Sequence, residues 1–318
     1  MSLRIKKPGI LTTLQDLGRL GWRRYGVNPS GAMDTAAARI ANILVGNDDN
    51  AAVLEMHFPA AEIVFEKQTI FSLCGGDLGA ELDGEPLTQW RSFVAQAGAT
   101  LRFKAKIAGE RLYIALRGGI EIPLWLGSSS TNLAAKIGGF EGRQLNAGDR
   151  LPLKNFASQP TTRLPAAATS LLPHYSRFPT VRVIPGAEFE YLSAESRQLL
   201  LSGDLTISTR SNRMGFLLMG QPLALRRTRE LISAAVCFGT VQLLPDGQLI
   251  ILMADQQTAG GYPRVAHIVS YDLPLVGQLG AGDKIAFHMT TLEEAEGLAV
   301  QFEQELSFLR VACKFAYR

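Results

Sequence analysis

Four segments of this chain crowd polar side chains beside glycine, the composition of loops that hold a small polar ligand. The first, Thr12-Thr13-Leu14-Gln15-Asp16-Leu17-Gly18-Arg19, sets hydroxyls, an amide, a carboxylate and a guanidinium close together, and a second polar run from Gly26 to Asp34 follows it. Side chains alternate along an extended segment, so Thr13 and Gln15 share one face and Asp16 takes the other. A polar turn in which Asp16 pairs with Arg19 ahead of a helix start accounts for the same residues without any chemistry.

The second segment joins Arg117-Gly118-Gly119 to Gly127-Ser128-Ser129-Ser130-Thr131-Asn132. Its glycines permit close backbone approach and its hydroxyls offer donors to an anion, although a solvated turn has the same composition. The third, Ser211-Asn212-Arg213-Met214-Gly215-Phe216, presents Arg213 either as a fork for a carboxylate or phosphate or as a surface arginine in a hairpin loop. The fourth, Asp255-Gln256-Gln257-Thr258-Ala259-Gly260-Gly261-Tyr262-Pro263, leaves the apolar run Leu249 to Met253. A strand of that kind can hold a carboxylate and amides rigidly at its exit, which a plain loop would not need.

Other chemistries lack their residues. There is no Gly-x-x-x-x-Gly-Lys-Ser/Thr loop, no Gly-x-Ser-x-Gly elbow, no His-Glu-x-x-His pair and no lysine set between methionines as in a biotin carrier. Cys74, Cys237 and Cys313 are far apart and odd in number, which fits buried thiols in a reducing cytoplasm and argues against a disulfide framework. The histidines at 57, 174, 267 and 288 have no ligand spacing, so no metal site is expected and each reads as structural. The net charge of +3 is spread thinly, with no basic block for nucleic acid or a membrane surface. No apolar run is long enough to span a bilayer, and the N-terminus has no signal-peptide core.

The elements that must position these segments are mostly short strands. Runs at Ala61 to Phe71, Leu101 to Phe103, Arg111 to Leu116, Thr180 to Ile184, Leu249 to Met253 and Lys284 to His288 are β-rich and punctuated by Gly, Asp and Pro. Helices are expected after Asp34 as far as Gly46, over Ser193 to Leu201, and from Thr291, where Glu294 completes a capping box. Residues 155–179, rich in Pro, Ala, Ser and Thr, read as a linker between halves 1–154 and 180–318. Gln144-Leu145-Asn146-Ala147-Gly148-Asp149-Arg150-Leu151 recurs as Gln278-Leu279-Gly280-Ala281-Gly282-Asp283-Lys284-Ile285. Gly76-Asp77-Leu78 and Gly118-Gly119 are echoed at Gly203 and Gly260, in the same order, which suggests duplicated β-barrels with a cleft as the place to seek a site.

Taken in order and spacing, Thr12 to Arg19, Ser30 to Asp34, Gly127 to Thr131, Ser211 to Gly215 and Gln257 to Pro263 resemble one family over Ile5 to Phe287. It is the family labelled allophanate hydrolase subunit 2, biotin-dependent carboxyltransferase or the C subunit of 5-oxoprolinase. The resemblance implies a mainly β fold of two cyclophilin-like β-barrel domains with a few helices, including a C-terminal one. It implies a cytoplasmic complex with 5-oxoprolinase subunits A and B that opens 5-oxoproline to glutamate as ATP is hydrolysed. With no P-loop here, ATP would be met through a composite site with a partner subunit. Asp255 and Gln257 would orient the reacting amide, and Arg213 and Arg19 would balance a carboxylate or phosphoryl charge. Thr13, Gln15, Asp34, Gln242 and Tyr262 would line the pocket. Two alternatives stay open: a carboxyltransferase subunit moving a carboxyl group from carboxybiotin to urea or a related amide, and a non-catalytic regulator that binds a histidine-kinase inhibitor. The chain departs from the family pattern at Ala234-Ala235, where a polar residue and a turn are usual, and at Ala259, where a second threonine is usual.

Overall fold

The computed structural model describes residues 2–154, 164–227 and 230–317, so 155–163 of the expected linker lie outside the described residues. The chain is mainly β and divides into two units. The first comprises residues 1–19, 30–174 and 303–318, and the second 20–29 and 175–302.

The first unit closes its core between two sheets. One sheet runs in the order Arg150–Pro152, Ser2–Lys7, Glu62–Phe65, Thr100–Phe103, Ala80–Leu82 and Glu85–Pro86, and the other Thr12–Gln15, Val53–His57, Ala108–Leu116, Thr69–Asp77 and Arg91–Ala95. Their inward side chains, among them Leu3, Ile5, Leu54, Met56, Phe65, Phe71, Leu112 and Ile114, make one apolar cluster. Burial of that set supplies the main favourable term for the unit. The run Ala61 to Phe71 is two strands, Glu62–Phe65 and Thr69–Asp77, lying in different sheets. The polar Glu66-Lys67-Gln68 turn separates them, a break that apolar content on either side conceals.

Helix α1 (Thr35–Leu44) lies against the second sheet, and Ser72 Oγ donates to the carbonyl of Ala41 across that contact at 2.7 Å. Asp34 caps it by accepting from the Ala37 N–H at 2.8 Å, as expected.

The second unit is a closed barrel of seven strands in the order Thr180–Pro185, Arg264–Ile268, Thr240–Leu243, Leu249–Leu252, Gly215–Met219, Leu205–Ile207 and Lys284–Met289. The closing pair, Thr180–Pro185 with Lys284–Met289, is parallel. A separate two-stranded ribbon pairs Ala234–Ala235 with Ala259–Gly260. The further α-helices are α2 (Ala194–Ser202), α3 (Leu273–Gly277) and α4 (Leu292–Ala316), the last running on into residues of the first unit. Ser193 caps α2 through the Ser196 N–H, and Thr291 and Glu294 form the reciprocal capping box of α4. None of these helices is long and apolar enough to cross a membrane, among the described residues.

The recurring Gly-Asp turn is one local structure used twice. Asp149 accepts from the Asn146 N–H at 2.7 Å and Asp283 from the Gly280 N–H at 2.8 Å, each just before a strand. Gly148 and Gly282 take φ of +92° and +84°, a backbone conformation that penalises a Cβ. Each aspartate also pairs with an arginine, Arg143 in the first unit and Arg177 in the second.

Candidate functional site

In the first unit, Thr13 and Gln15 share the face that alternation predicts. Gln15 Nε2 donates to Thr13 Oγ1 at 3.0 Å and to the Thr131 carbonyl at 3.2 Å, leaving Oε1 buried with no hydrogen-bond partner among the described residues. Asp16 turns the other way into the Ser128–Ser130 loop. It accepts from Ser128 Oγ at 2.7 Å, the Ser129 N–H at 2.6 Å and Ser129 Oγ at 3.0 Å, and also from Ser130 Oγ. The serine hydroxyls that offered themselves to an anion therefore already hold one, the protein's own carboxylate. Arg19 is fully buried, donates to the Ser130 carbonyl and stands 5.0 Å from the Trp125 ring centre. Asp34 is buried as a helix cap, its own N–H donating to Tyr113 Oη at 2.8 Å.

The second unit gathers Arg213, Gln242, Asp255, Gln257 and Tyr262. The apolar strand Leu249–Leu252 delivers Asp255 at its exit, and Arg213 meets it there in two parallel contacts, Nε to Oδ2 at 2.9 Å and Nη2 to Oδ1 at 3.3 Å. Arg213 is not the exposed arginine of a hairpin loop: both partners are buried, and the Asp255 N–H donates to the Arg213 carbonyl at 2.8 Å. Asn28, from the second polar run, donates to the Asp255 carbonyl at 3.1 Å. A planar fork on a carboxylate fixes the guanidinium orientation as well as its charge.

Gln242 is wholly buried on its strand. Its Nε2 donates to the Tyr262 carbonyl at 3.2 Å, and its Oε1 has no hydrogen-bond partner among the described residues. A buried amide oxygen without a donor is costly, so this acceptor is open to an incoming N–H or O–H. Gly260 makes the approach possible. A Cβ there would stand 2.9 Å from Gln242 Nε2, 3.4 Å from its Oε1 and 3.5 Å from Gln257 Nε2, so two amides converge on one glycine. Gln257 and Tyr262 are themselves exposed.

Both departures from the family pattern fall in one two-stranded ribbon, where Ala234 pairs with Gly260 and Ala235 with Ala259. The two changes thus face each other, alanine against alanine. Sequence reasoning passed over three neighbours of this region. Gln256 turns inward, and with its amide oxygen and nitrogen interchanged it donates to the Ala254 carbonyl at 3.0 Å and accepts from the Phe238 N–H at 3.3 Å. Cys237, expected as a buried thiol, is only half-buried and lies 3.9 Å from His267. The antiparallel register of Thr240 with His267 brings them together, a signal available only once the two strands are known to be neighbours.

Residues 25–289 match the family model described as carboxyltransferase domain, subdomain A and B. The chain is 39% identical over 311 residues to the 5-oxoprolinase C subunit of Escherichia coli, covering 98% of this chain and 97% of that one. It is 36% identical to the 5-oxoprolinase C subunit of Haemophilus influenzae, covering 94% of each. Against the urea amidolyase of Saccharomyces cerevisiae it is 31% identical, over 93% of this chain but 17% of that protein. The crystal structure of K. lactis urea amidolyase superposes with a TM-score of 0.91 at 28% identity, over 97% of this chain and 20% of the other. The chain thus spans these two bacterial relatives nearly end to end and about a fifth or less of these two fungal ones.

Proposed function

The chain belongs to the family of carboxyltransferase domains with subdomains A and B, and from that premise we propose that it is the C subunit of an ATP-dependent 5-oxoprolinase, acting with subunits A and B on a cyclic amide. What carries the reading is the end-to-end match to bacterial subunits of that name, rather than to a slice of a larger enzyme.

The chemistry of the second unit agrees with an amide substrate. A lactam offers an N–H beside a carbonyl, and the unpartnered Oε1 of Gln242 is an acceptor for that N–H. Gln257 and Asp255 stand beside the same loop to orient the group, and Gly260 leaves it room to approach. Arg213, held in one orientation by Asp255, supplies preorganised positive charge near a carboxylate or phosphoryl oxygen, where such charge contributes most. Arg19, Thr13, Gln15 and Asp34 serve the first unit in the same reading: Gln15 carries a second unpartnered amide oxygen, and Arg19 a second buried cation.

An amide is a poor electrophile because its nitrogen lone pair is delocalised into the carbonyl. ATP supplies the phosphoryl group that, once on the lactam oxygen, makes the ring carbon electrophilic. Water adds to that carbon, and the ring C–N bond breaks as the protonated nitrogen leaves as an amine. Hydrolysis of the resulting acyl phosphate yields glutamate, phosphate and ADP. Since this chain has no P-loop, the nucleotide site is composite with a partner subunit. The test is reconstitution with subunits A and B, following 5-oxoproline-dependent ADP release. Full activity without this chain would end the proposal.

A second reading, carboxyl transfer from carboxybiotin to urea or a related amide, is favoured by the likeness to the fungal urea amidolyase. A ureido N–H would suit the Gln242 oxygen equally well, and biotin would have to come on a carrier from another chain. Streptavidin blotting of proteins that co-purify with this one separates the two readings, since only the second requires a biotinylated partner.

A further inference from the structure

Outside the amide-lined loop, a nucleophile has a base beside it. Cys237 leaves the Ala234–Ala235 ribbon and turns into the strand Thr240–Leu243, the turn being closed by the Thr240 N–H donating to the Cys237 carbonyl at 3.0 Å. Its sulfur lies 3.9 Å from both ring nitrogens of His267 and 3.6 Å from Thr240 Oγ1, which itself stands 3.4 Å from His267 Nδ1. Cys237 and His267 are both half-buried, so the thiol is reachable and also desolvated on one side. Cys74 and Cys313 are buried outright.

We propose that Cys237, with His267 and Thr240, forms a thiol-modification site that takes small disulfides such as glutathione disulfide. The step is an exchange. The proton leaves through the His267 imidazole, and the Cys237 thiolate attacks one sulfur of the incoming disulfide. A new S–S bond forms as the old one breaks, and the second half departs as a thiolate that takes up a proton. One thiol is consumed and one released, so no further oxidant is needed.

The electrostatics run the same way. His267, on the strand Arg264–Ile268, lowers the Cys237 pKa to about 7 against the opposing effect of burial, with smaller help from Thr240 and from Arg23 in the turn Arg23–Tyr25. Burial pushes Cys313 the other way, up to about 11, and drives Cys74 well above the ordinary thiol value. Thiolate share and access together select the reactive cysteine.

The test uses the whole native chain with dithiodipyridine, whose released thione is followed by absorbance, and mass spectrometry to locate the adduct. The expected result is one fast equivalent per chain, at Cys237, with a pH–rate midpoint of about 7. Replacing His267 by glutamine should move that midpoint toward the ordinary thiol value of 9.0. At pH 7 the thiolate share would then fall roughly 50-fold, offset about 8-fold by the greater nucleophilicity of a more basic thiolate, a net loss of roughly 5- to 10-fold in rate. Reaction at Cys237 no faster than at Cys74 or Cys313 would overturn the proposal, as would an unchanged rate in folded H267Q. Should H267Q fail to fold, the midpoint measured on the native chain still decides, a value at the ordinary 9.0 refuting the site.

Discussion

Replacing Arg213 by methionine keeps most of the aliphatic stem but strands the Asp255 carboxylate in the interior. The two residues are 7% and 5% exposed and meet through Nε–Oδ2 at 2.9 Å and Nη2–Oδ1 at 3.3 Å, so water cannot easily take over either partner. Removing one member of such a pair costs about 3–5 kcal/mol, whereas replacing both by apolar groups of similar volume is often nearly neutral. At about 1.36 kcal/mol per factor of ten, the single change should raise the opening constant of the barrel roughly 150- to 5,000-fold. The readout is amide hydrogen exchange in the strands Gly215–Met219 and Leu249–Leu252, which flank the pair. A local measurement suits a chain of two units better than one global melting curve. R213M and D255L should each lose protection, and R213M/D255L should regain most of it. Exchange within about threefold of wild type in both single variants would refute the burial argument (a shift of about 0.65 kcal/mol), and so would a double variant as labile as the singles. A double variant that regains protection yet leaves the assembled complex inactive would assign the Arg213–Asp255 pair a part in the chemistry as well.

Gln242→Leu removes the unpartnered acceptor while filling its space, and should lower kcat/KM of the reconstituted complex about 5- to 150-fold, as expected for a substrate N–H left facing a hydrocarbon. Gly260→Ala places a methyl 2.9 Å from the Gln242 amide, so it should lower the same parameter, and the two changes together should do no more than the worse one alone. Asp16→Ala leaves the Ser128–Ser130 hydroxyls and the Ser129 N–H without their shared acceptor, and amide hydrogen exchange in the strand Thr12–Gln15 should record a loss of about 2–4 kcal/mol. Glu62 is held at about 2, chiefly by Lys6 and then by Arg102, against an ordinary carboxyl value of 4.5. A carboxyl depressed on folding stabilises the native state fully above its unfolded value and loses that contribution as the pH falls through its folded one. The stability gap between wild type and Glu62→Gln should therefore be constant above about pH 4.5 and shrink away toward pH 2; a gap that widens on acidification would contradict the assignment.

What could be seen in the residues alone was whatever acts over a few positions. Asp34, Ser193 and the Thr291/Glu294 pair reach backbone donors within three or four residues, so their roles are written locally. The repeated Gly-Asp turn was visible for the same reason, since each aspartate closes on an N–H three residues back. The apolar strand Leu249–Leu252 and the carboxylate at its exit were legible because burial demands an unbroken apolar run. Long-range partners were not. Asp16 finds Ser128 to Ser130 more than a hundred positions away, and nothing near either segment says that the two will meet. Arg213 looks like any loop arginine until Asp255 is placed beside it by backbone pairing. Cys237 lies in the turn that leads into the strand Thr240–Leu243 and His267 on the strand Arg264–Ile268, and their meeting depends on the register of those two strands, which no local pattern encodes.

The order of strands in the barrel has a consequence for how the protein is made. Lys284–Met289 lies between Thr180–Pro185 on one side and Leu205–Ile207 on the other, which are the first two strands of the barrel to be translated. Until residue 289 has cleared the ribosome, those two strands present open edges with unpaired N–H and carbonyl groups, the kind of edge that recruits other chains. The first unit waits even longer for its clasp. Arg310 on α4 pairs with Asp49, and Tyr317 Oη donates to the carbonyl of Leu44, so residues translated near the start are secured by residues translated some 260 positions later. Slow or interrupted synthesis therefore exposes both units at once, and a chaperone that shields strand edges would act on this chain during elongation rather than after it.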